Sequence, residues 1–325
     1  MSMIALTILF LLLAGCILTH SQLSLAYAGM GLELWFRNMI PSLLPFMILS
    51  GIMIRMNLTE KASMLLYPII NPIFKIRKNV CYAMLIGFLC GFPMGAKTVA
   101  DLYSRQMITK REAEYLLAFC NNIGPVYFCS FVLPLLGRQL VFPYLFGMYG
   151  IPFLYGLVLR RTVYGDLPLP RRKQEASAGL VCCEAPSDTK VHRQSRSAGI
   201  AERLLAESDH AIQSSVQAIL SLGGYMILYN LLNLIPHILL GHPLQLLSPL
   251  LEITGGLKLL GTALPLYSFL ALSFGGFSCI AQTYSCIGDS DLSIGSYVLH
   301  KSVLTALNGI FYFCWFQISP VSFLL

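Results

Sequence analysis

Charged side chains interrupt the apolar segments of this chain at positions where they could do chemistry. Lys97 and Asp101 lie one helical turn apart just after a break rich in glycine, and Glu252 stands between an apolar run and two glycines. A charge at the middle of a lipid bilayer costs at least about 2.5 kcal/mol. Each of these side chains must therefore pair, reach the membrane surface, or bind an ion or a solute.

Both charged positions have two interpretations. Lys97 either pairs with Asp101 at the cytoplasmic interface, since side chains four residues apart share a helix face, or presents a cation to an anionic solute. In the second case Asp101 takes part in ion coupling. Glu252 is either a coupling group for protons or Na⁺ or an interfacial residue paired with Lys258. The residue types alone leave these alternatives open.

Two adjacent carboxamides, Asn121 and Asn122, precede a break at Gly124 and Pro125. Neighbouring side chains on a helix point about 100° apart, so the two cannot easily serve one structural contact. At least one of them is therefore predicted to contact a solute or ion. Neutral hydrogen-bonding residues supply the remaining candidate solute contacts: Thr98, Ser278, Gln282, Thr283 and Asn308.

These residues stand in a frame of helices that must cross a membrane. Of the 325 residues, 56% are hydrophobic and 11% are charged, and the mean hydropathy is +0.69. Soluble domains carry about 25% charged residues, and about 20 apolar residues cross a hydrocarbon core of ~30 Å. Several runs approach or exceed that length: Met3–Leu18, Pro41–Ile54, Tyr115–Leu136, Leu140–Leu159 and Val216–Ile235. The composition predicts an all-α polytopic membrane protein.

The same composition excludes other classes of protein. A soluble enzyme and a secreted disulfide scaffold are excluded, and the net charge of +7 lies mainly in loops, so no nucleic-acid partner is expected. Most of the ten cysteines lie in apolar stretches without metal-ligand spacing, so they are predicted to be buried apolar side chains. No G-x-S-x-G, H-E-x-x-H or Walker A pattern occurs. No enzyme activity, metal or cofactor is therefore expected.

Basic residues predict the orientation of the chain in the membrane. The segment Arg160–Ser208 is rich in Lys and Arg, so the positive-inside rule places it in the cytoplasm as a flexible linker. Basic clusters flank Val80–Tyr103 on the same side, and this segment is too short for two crossings. It is predicted to be a re-entrant hairpin, with one kinked crossing helix as the alternative. The stretch before Met3–Leu18 holds no Lys or Arg, so the first helix is predicted to stay uncleaved.

Two segments of the first half recur in the same order in the second half. Ser42–Leu49 is similar to Ser221–Leu228, and Gly91–Thr98 is similar to Gly276–Thr283. The predicted orientation makes the copies inverted, which is typical of secondary transporters with a site at the bilayer midplane. Broken helices expose main-chain groups that bind polar solutes. The backbone of these breaks is expected at Gly91, Pro93, Gly95, Gly124, Pro125, Gly275 and Gly276.

The predicted fold has about six full transmembrane helices plus two re-entrant hairpins in inverted repeats. Residues 1–38 are expected to form an N-terminal transmembrane helix and a connection. Residues 39–160 form the first repeat with a linking helix, residues 161–208 the basic cytoplasmic linker, and residues 209–325 the inverted second repeat.

A family resemblance is carried by five blocks: Ile40–Phe46, Gly91–Lys97, Leu117–Pro125, Leu251–Gly256 and Gly275–Ser278. Over about residues 36–318 the chain resembles the family of sporulation integral membrane proteins called YlbJ, in the nucleoside-recognition gate superfamily. The polar linker carries no family signal.

The resemblance implies a membrane protein of an endospore-forming Firmicute, in the cell membrane or the outer forespore membrane. The implied function is to move dipicolinic acid, an aromatic dicarboxylate, from the mother cell across the outer forespore membrane during sporulation. The alternatives are a transporter of nucleosides or other small solutes and a non-transporting factor in spore envelope assembly. The expected partners are a small anionic solute, the bilayer and a coupling proton or Na⁺. The sequence leaves open whether the protein forms a homo-oligomer.

Overall fold

The computed structural model describes residues 3–137, 140–168, 199–262 and 264–318. Within these residues every regular element is a helix, as the composition predicts. In chain order they are α1 (Met3–Thr19), α2 (Ser21–Leu34), α3 (Ile40–Arg55), α4 (Thr59–Ser63), α5 (Tyr67–Phe74), α6 (Lys78–Cys90), α7 (Met94–Ser104), α8 (Lys110–Phe119), α9 (Pro125–Tyr127), α10 (Leu133–Leu136), α11 (Val141–Leu145), α12 (Ile151–Arg161), α13 (Ile200–Leu232), α14 (Leu234–Leu240), α15 (Ser248–Leu251), α16 (Ile253–Leu260), α17 (Pro265–Phe274), α18 (Gly276–Ile287) and α19 (Ile294–Ile318).

Four segments of the described chain are long and apolar enough to cross a membrane. They are Ser21–Arg55, Val141–Arg161, Ala201–Leu240 and Pro265–Ile287. The side chains of α1 are almost all exposed although they are apolar, which suits a helix surrounded by lipid. The chain is therefore an integral membrane protein, while the count of six full spans stays a prediction.

π-helical turns join consecutive helices into longer rods. Trp35–Met39 joins α2 to α3, Phe128–Val132 joins α9 to α10, and Phe146–Gly150 joins α11 to α12. The helix after each turn carries a proline in its first turn. Proline lacks an N–H and its ring clashes with the carbonyl four residues earlier. The wider turn accommodates that ring without ending the rod.

The N-terminal connection differs from the prediction. Residues 21–34 form a helix, α2, that continues through its π-helical turn to Arg55. Their leucine, alanine and methionine residues favour helix, and the turn before Pro41 keeps the helix unbroken. The candidate span therefore includes residues 21–38, which the sequence interpretation assigned to the N-terminal helix and connection.

The prediction of a flexible linker from Arg160 to Ser208 is wrong at both ends. The helix α13 already begins at Ile200. Arg160 is buried, and its guanidinium donates hydrogen bonds to five main-chain carbonyls, those of Phe74, Lys75, Tyr164, Gly165 and Leu167. A buried guanidinium needs such acceptors, so Arg160 fixes the start of the segment to the helical bundle. Residues 169–198, with Cys182 and Cys183, lie outside the described residues.

Four ion pairs involve residues of the basic clusters and lie at one end of the molecule, called here the basic end. They are Arg55–Glu207, Arg77–Glu112, Lys78–Glu60 and Lys110–Asp291. Hydrogen bonds from Lys110 and Tyr103 lower the pKa of the Asp291 carboxyl. Their contribution to stability is therefore present above the ordinary carboxyl pKa and is lost as the pH falls through the lowered value.

The rod α2–α3 runs antiparallel to α13. Arg55 meets Glu207 at the basic end, and the Tyr27 hydroxyl lies 2.8 Å from Nδ1 of His237 at the opposite end. The segments Ser42–Leu49 and Ser221–Leu228 thus lie in antiparallel helices that pack together. An inverted repeat requires this relation, and the inverted symmetry itself stays a prediction.

The two predicted hairpins differ in outcome. α6 and α7 pack side by side across the break at Gly91, Phe92 and Pro93, so both of their outer ends lie at the basic end. By contrast, α17 and α18 do not fold back on each other. The glycines at 275 and 276 interrupt one continuous candidate span instead. Both have positive φ angles, which break the helical hydrogen bonds without reversing the chain.

The arrangement of α6 and α7 generates a prediction of topology. Cysteines placed at Lys78 and at Arg105 should react with a membrane-impermeant maleimide from the same side, which the positive-inside rule makes the cytoplasm. A cysteine at the exposed His242, beyond α14 at the opposite end, is the control and should react only from the other side. Labelling of the first two positions from opposite sides would contradict the hairpin.

Candidate functional site

The interruption between α6 and α7 contacts the interruption between α8 and α9. The amide of Phe92 donates a hydrogen bond to the carbonyl of Asn122 at 2.7 Å, and Gly91 and Ile123 form a single antiparallel bridge. The breaks thus satisfy part of each other's backbone, which matters because unpaired main-chain groups are costly in lipid.

The close approach of these two breaks requires glycine. Gly91 has φ +75° and ψ −162°, a conformation that only glycine adopts readily, and a Cβ there would lie 2.2 Å from the nitrogen of Gly124. A Cβ on Gly124 would lie 2.4 Å from the carbonyl oxygen of Cys90. Gly91 and Gly124, two of the glycines predicted as backbone of the breaks, therefore lie where two chain segments cross.

Lys301 is the buried cation of this region. Only 2% of it is exposed, and its ammonium donates hydrogen bonds to the carbonyl of Asn121 at 3.1 Å and to Oδ1 of Asn122 at 2.9 Å. It also lies 5.3 Å from the centroid of the Phe92 ring. The ammonium is buried because the interrupted segment supplies acceptors for it.

The two asparagines perform different structural roles, as their divergent directions suggested. The Asn121 amide donates to Oγ1 of Thr283 at 3.0 Å and to the Tyr297 hydroxyl at 3.3 Å, while its oxygen accepts from the amide of Ala96. The Asn122 amide donates to the carbonyl of Phe119. Asn121 thus links three parts of the bundle, α7, α18 and α19.

Glu252 is buried at the break between α15 and α16, with 1% of the residue exposed. Its carboxylate accepts hydrogen bonds from the amides of Thr254 at 3.1 Å and Gly255 at 2.6 Å and from the side chain of Asn230 at 3.1 Å. It therefore caps α16, where a negative charge is favourable. No described lysine or arginine forms an ion pair with it.

The alternative pairing of Glu252 with Lys258 is wrong. Lys258 instead lies 3.9 Å from the exposed carboxylate of Glu33 on α2. The two residues are six positions apart, and α16 carries their side chains to different environments. One is the protein interior and the other is the surface.

The breaks surround one cavity, called here the central cavity. Its apolar wall includes Phe46, Phe92, Leu222 and Met226, and its polar lining groups come from Ser42, Tyr127, Glu252, Thr254 and Gln282. The space that water-sized molecules can enter is about 40 Å³. This conformation therefore holds a few water molecules at most, and a solute requires the walls to separate.

Lys97 does not line the central cavity. Its ammonium forms an ion pair with Asp101 at 3.1 Å and a hydrogen bond with Ser214 at 3.0 Å, in a second cavity toward the basic end. The pairing with Asp101 is therefore present. Since an ion pair with a half-exposed partner is exchangeable, this contact leaves solute binding by Lys97 a prediction.

The neutral candidate residues fall into separate groups. Gln282 donates to Ser278 and lies beside the central cavity, and Thr283 bonds Asn121. Thr98 lies 3.5 Å from the Ser50 hydroxyl, away from that cavity. Asn308 donates to Ser273 at 2.7 Å between α19 and α17. Only part of the predicted set is thus close together.

Sequence reasoning missed Asn230 and Tyr127. Among the described residues the oxygen of Asn230 has no hydrogen-bond partner, and the Tyr127 hydroxyl lies 3.2 Å from the hydroxyl of Thr254. Both residues lie far from Glu252 along the chain, so spacing carried no signal. Over the described residues, no group of three His, Cys, Asp or Glu side chains could hold a metal ion.

Fold and site together define an integral membrane protein whose interrupted helices surround a small, mainly apolar cavity with a few polar side chains. No family model matches the chain, and no solved structure matches it significantly. The sporulation integral membrane protein YlbJ of Bacillus subtilis (strain 168) is 27% identical over an alignment of 331 positions, gaps included, which covers 93% of this chain and 80% of that protein. The alignment confirms the resemblance seen in the motifs and supports membership of the YlbJ family.

The crossing at Gly91 generates a prediction of stability. Gly91→Ala should lower the free energy of unfolding by about 3 kcal/mol or more, because it adds backbone strain to overpacking. Gly224→Ala is the matched control, since a Cβ on Gly224 meets nothing within 4 Å. Thermal unfolding in detergent measures both. Equal melting of the two variants would contradict the close crossing.

The buried ammonium of Lys301 generates a second prediction of stability. Lys301→Met leaves the buried oxygen of Asn122 without its donor, so we expect a loss of about 1–3 kcal/mol in the free energy of unfolding. Lys258→Met changes the same residue type at an exposed position and should be nearly neutral. A Lys301→Met protein that unfolds like the parent would show that the ammonium is not held by the interrupted segment.

Proposed function

We propose that this chain is a sporulation protein that transports dipicolinic acid from the mother cell across the outer forespore membrane. The relative named above is a sporulation protein by name, which supports the cellular setting. The observation that carries the transport proposal is the convergence of three interruptions, at Gly91–Pro93, Asn121–Gly124 and Glu252, on one cavity inside an apolar bundle.

Interrupted helices suit a transporter for a physical reason. Their ends hold main-chain groups outside the helical pattern, which can exchange partners with a solute at the depth of the membrane. Because these contacts join separate segments, moving one segment against another can open the cavity to one side. The antiparallel packing of α3 on α13 supports the inverted repeat that alternating access uses.

The lining of the central cavity suits a planar aromatic solute. Phe92 and Tyr127 supply aromatic faces for its ring, while Ser42, Thr254 and Gln282 supply hydrogen-bond partners for its edge. Phe92 also lies between the cavity and the ammonium of Lys301. When the hairpin end carrying Phe92 moves, that ammonium becomes available to a carboxylate, and a charge-assisted hydrogen bond forms.

Glu252 is the coupling group in this proposal. A carboxylate of the solute cannot share a small cavity with an ionised Glu252, because like charges repel strongly in a medium of low dielectric. Binding of the dianion therefore requires a proton or Na⁺ on Glu252. This requirement links movement of the solute to movement of the cation.

A nucleoside is the second candidate solute, and one observation favours it. Glu252 is the charged side chain among the residues lining the central cavity, while the cation Lys301 lies behind Phe92. A neutral ring with hydroxyl groups could donate hydrogen bonds to Glu252 without requiring a proton.

Uptake by proteoliposomes tests the proposal. The parent chain should accumulate radiolabelled dipicolinate when a proton or Na⁺ gradient is imposed, and Glu252→Gln should abolish accumulation by removing the charge that binds the cation. Glu33→Gln alters an exposed carboxylate and is the matched control.

The outcomes separate the candidates. Uptake of radiolabelled uridine or adenosine, without uptake of dipicolinate, would assign the cavity to nucleosides. Unchanged uptake in Glu252→Gln would contradict coupling through Glu252. No uptake of either solute would contradict the transporter.

A further inference from the structure

A second cavity lies between α3, α7 and α13 near the basic end, called here the basic-end cavity. About 130 Å³ of it is open to water-sized molecules, which is room for several of them. The residues that line it are mainly cationic or hydroxyl-bearing: Arg55, Lys97, Arg105, Ser104, Ser214 and Ser215, with Asp101 as the lining carboxylate. Small residues, Gly51 and Ala211, let α3 and α13 approach at its base, where a Cβ on Gly51 would lie 3.1 Å from the Cβ of Ala211.

The charges of this cavity do not cancel. Arg55 is paired with Glu207 at 3.5 Å, and Lys97 is paired with Asp101. Arg105 forms no ion pair with any of the described residues. Arg105 is therefore a cation without a paired carboxylate among the described residues. An anion that enters the cavity meets three cationic side chains.

The buried surface of the cavity also carries a polar group without a partner. Ser215 is 1% exposed, and its hydroxyl makes no hydrogen bond within the described residues. Such a group costs free energy unless something in the cavity bonds to it. Next to it, Ser214 accepts a hydrogen bond from Lys97, a residue that is only 7% exposed.

Hydroxyl groups continue inward from Lys97 along the contact between α3, α6 and α7. Thr98 lies 3.5 Å from the hydroxyl of Ser50, which accepts a hydrogen bond at 3.0 Å from Tyr82. All three are buried. The basic-end cavity is thus the outer end of a polar strip inside the bundle.

We propose that the basic-end cavity binds a carboxylate group of the transported solute before it reaches the central cavity. The ammonium of Lys97 then exchanges Asp101 for the solute, Arg105 supplies a second cationic contact, and the hydroxyl of Ser215 donates to a carboxylate oxygen. This inference rests on the proposed function and adds to it a second solute site, on the side where the mother-cell solute would be captured.

Asp101 has a defined part in this proposal. It occupies the cationic site while the solute is absent, so that Lys97 does not stay buried without a counter-ion. It also competes with the solute for the same ammonium. Removing its charge should therefore strengthen binding, which is the opposite of what a residue that contacts the solute would do.

Isothermal titration of dipicolinate into the purified full chain tests the site. We expect Lys97→Met and Arg105→Gln to weaken binding about ten- to hundredfold, since each removes a charge-assisted hydrogen bond. Asp101→Asn should tighten it. Lys258→Met, on the opposite end, is the matched control and should bind as the parent does.

A purely structural role for Lys97 predicts a different pattern. Lys97→Met would then lower thermal stability by leaving Asp101 unpaired, and the double variant Lys97→Met with Asp101→Leu would restore both stability and binding. Full recovery of binding in the double variant would overturn the proposal. Restored stability with binding still weak would support it.

Two further comparisons separate this site from the transport proposal and from lipid. Uptake by the parent with binding that is insensitive to Lys97 and Arg105 overturns this site alone. Binding that depends on Lys97 without uptake keeps the site and overturns transport. A parent that binds no dipicolinate overturns both.

Titrations in nanodiscs of phosphatidylcholine, with and without phosphatidylglycerol, test whether the bound anion is the solute or a lipid headgroup. Loss of dipicolinate binding when phosphatidylglycerol is present would assign the cavity to a lipid headgroup.

Discussion

The rest of the structure depends on how the main-chain groups at the breaks are satisfied. Inside a bilayer no water is available to them, so an interrupted helix is stable only where protein supplies partners. In this chain the interruptions supply partners for each other: Phe92 donates to Asn122, and Gly91 lies against Gly124 with no room for a side chain. Their mutual contact brings separate helices to one point, and the central cavity lies there.

Buried polar side chains follow from that constraint. The carbonyl of Asn121 and the side chain of Asn122 hold the ammonium of Lys301, and the free amides at the start of α16 hold the carboxylate of Glu252. The ammonium of Lys301 and the carboxylate of Glu252 are therefore stabilised by helix ends and amides and not by pairing with each other. Such contacts can be exchanged for contacts with a solute at modest cost, because each is one hydrogen bond among several. This property connects the architecture with transport.

Part of this could be predicted from the sequence. Glycine and proline at 91–95 and 124–125 correctly predict breaks, and the polar residues Asn121 and Glu252 stand out because their surroundings are apolar. Lys97 and Lys301 show the limit of prediction from spacing. Spacing along a helix predicts that Asp101 is the neighbour of Lys97. The acceptors of Lys301 lie at the broken end of α8, far away in the chain, so spacing does not reveal them. The buried role of Arg160 was hidden in the same way, since its carbonyl partners include Phe74 and Lys75. The fold of α17 and α18 was mispredicted because two glycines interrupt a span as readily as they reverse it.

Two native cysteines allow a direct test that the solute binds where the breaks meet. Cys90 and Cys279 line the central cavity, whereas Cys129 and Cys314 are exposed on the outside of the bundle. The rate of N-ethylmaleimide modification at each cysteine can be measured by mass spectrometry on the protein in nanodiscs, with and without dipicolinate. The solute should slow modification of Cys90 and Cys279, because it fills the space that the reagent must enter, and leave Cys129 and Cys314 unchanged. Modification rates at Cys90 and Cys279 that saturating dipicolinate leaves unchanged would contradict binding in the central cavity.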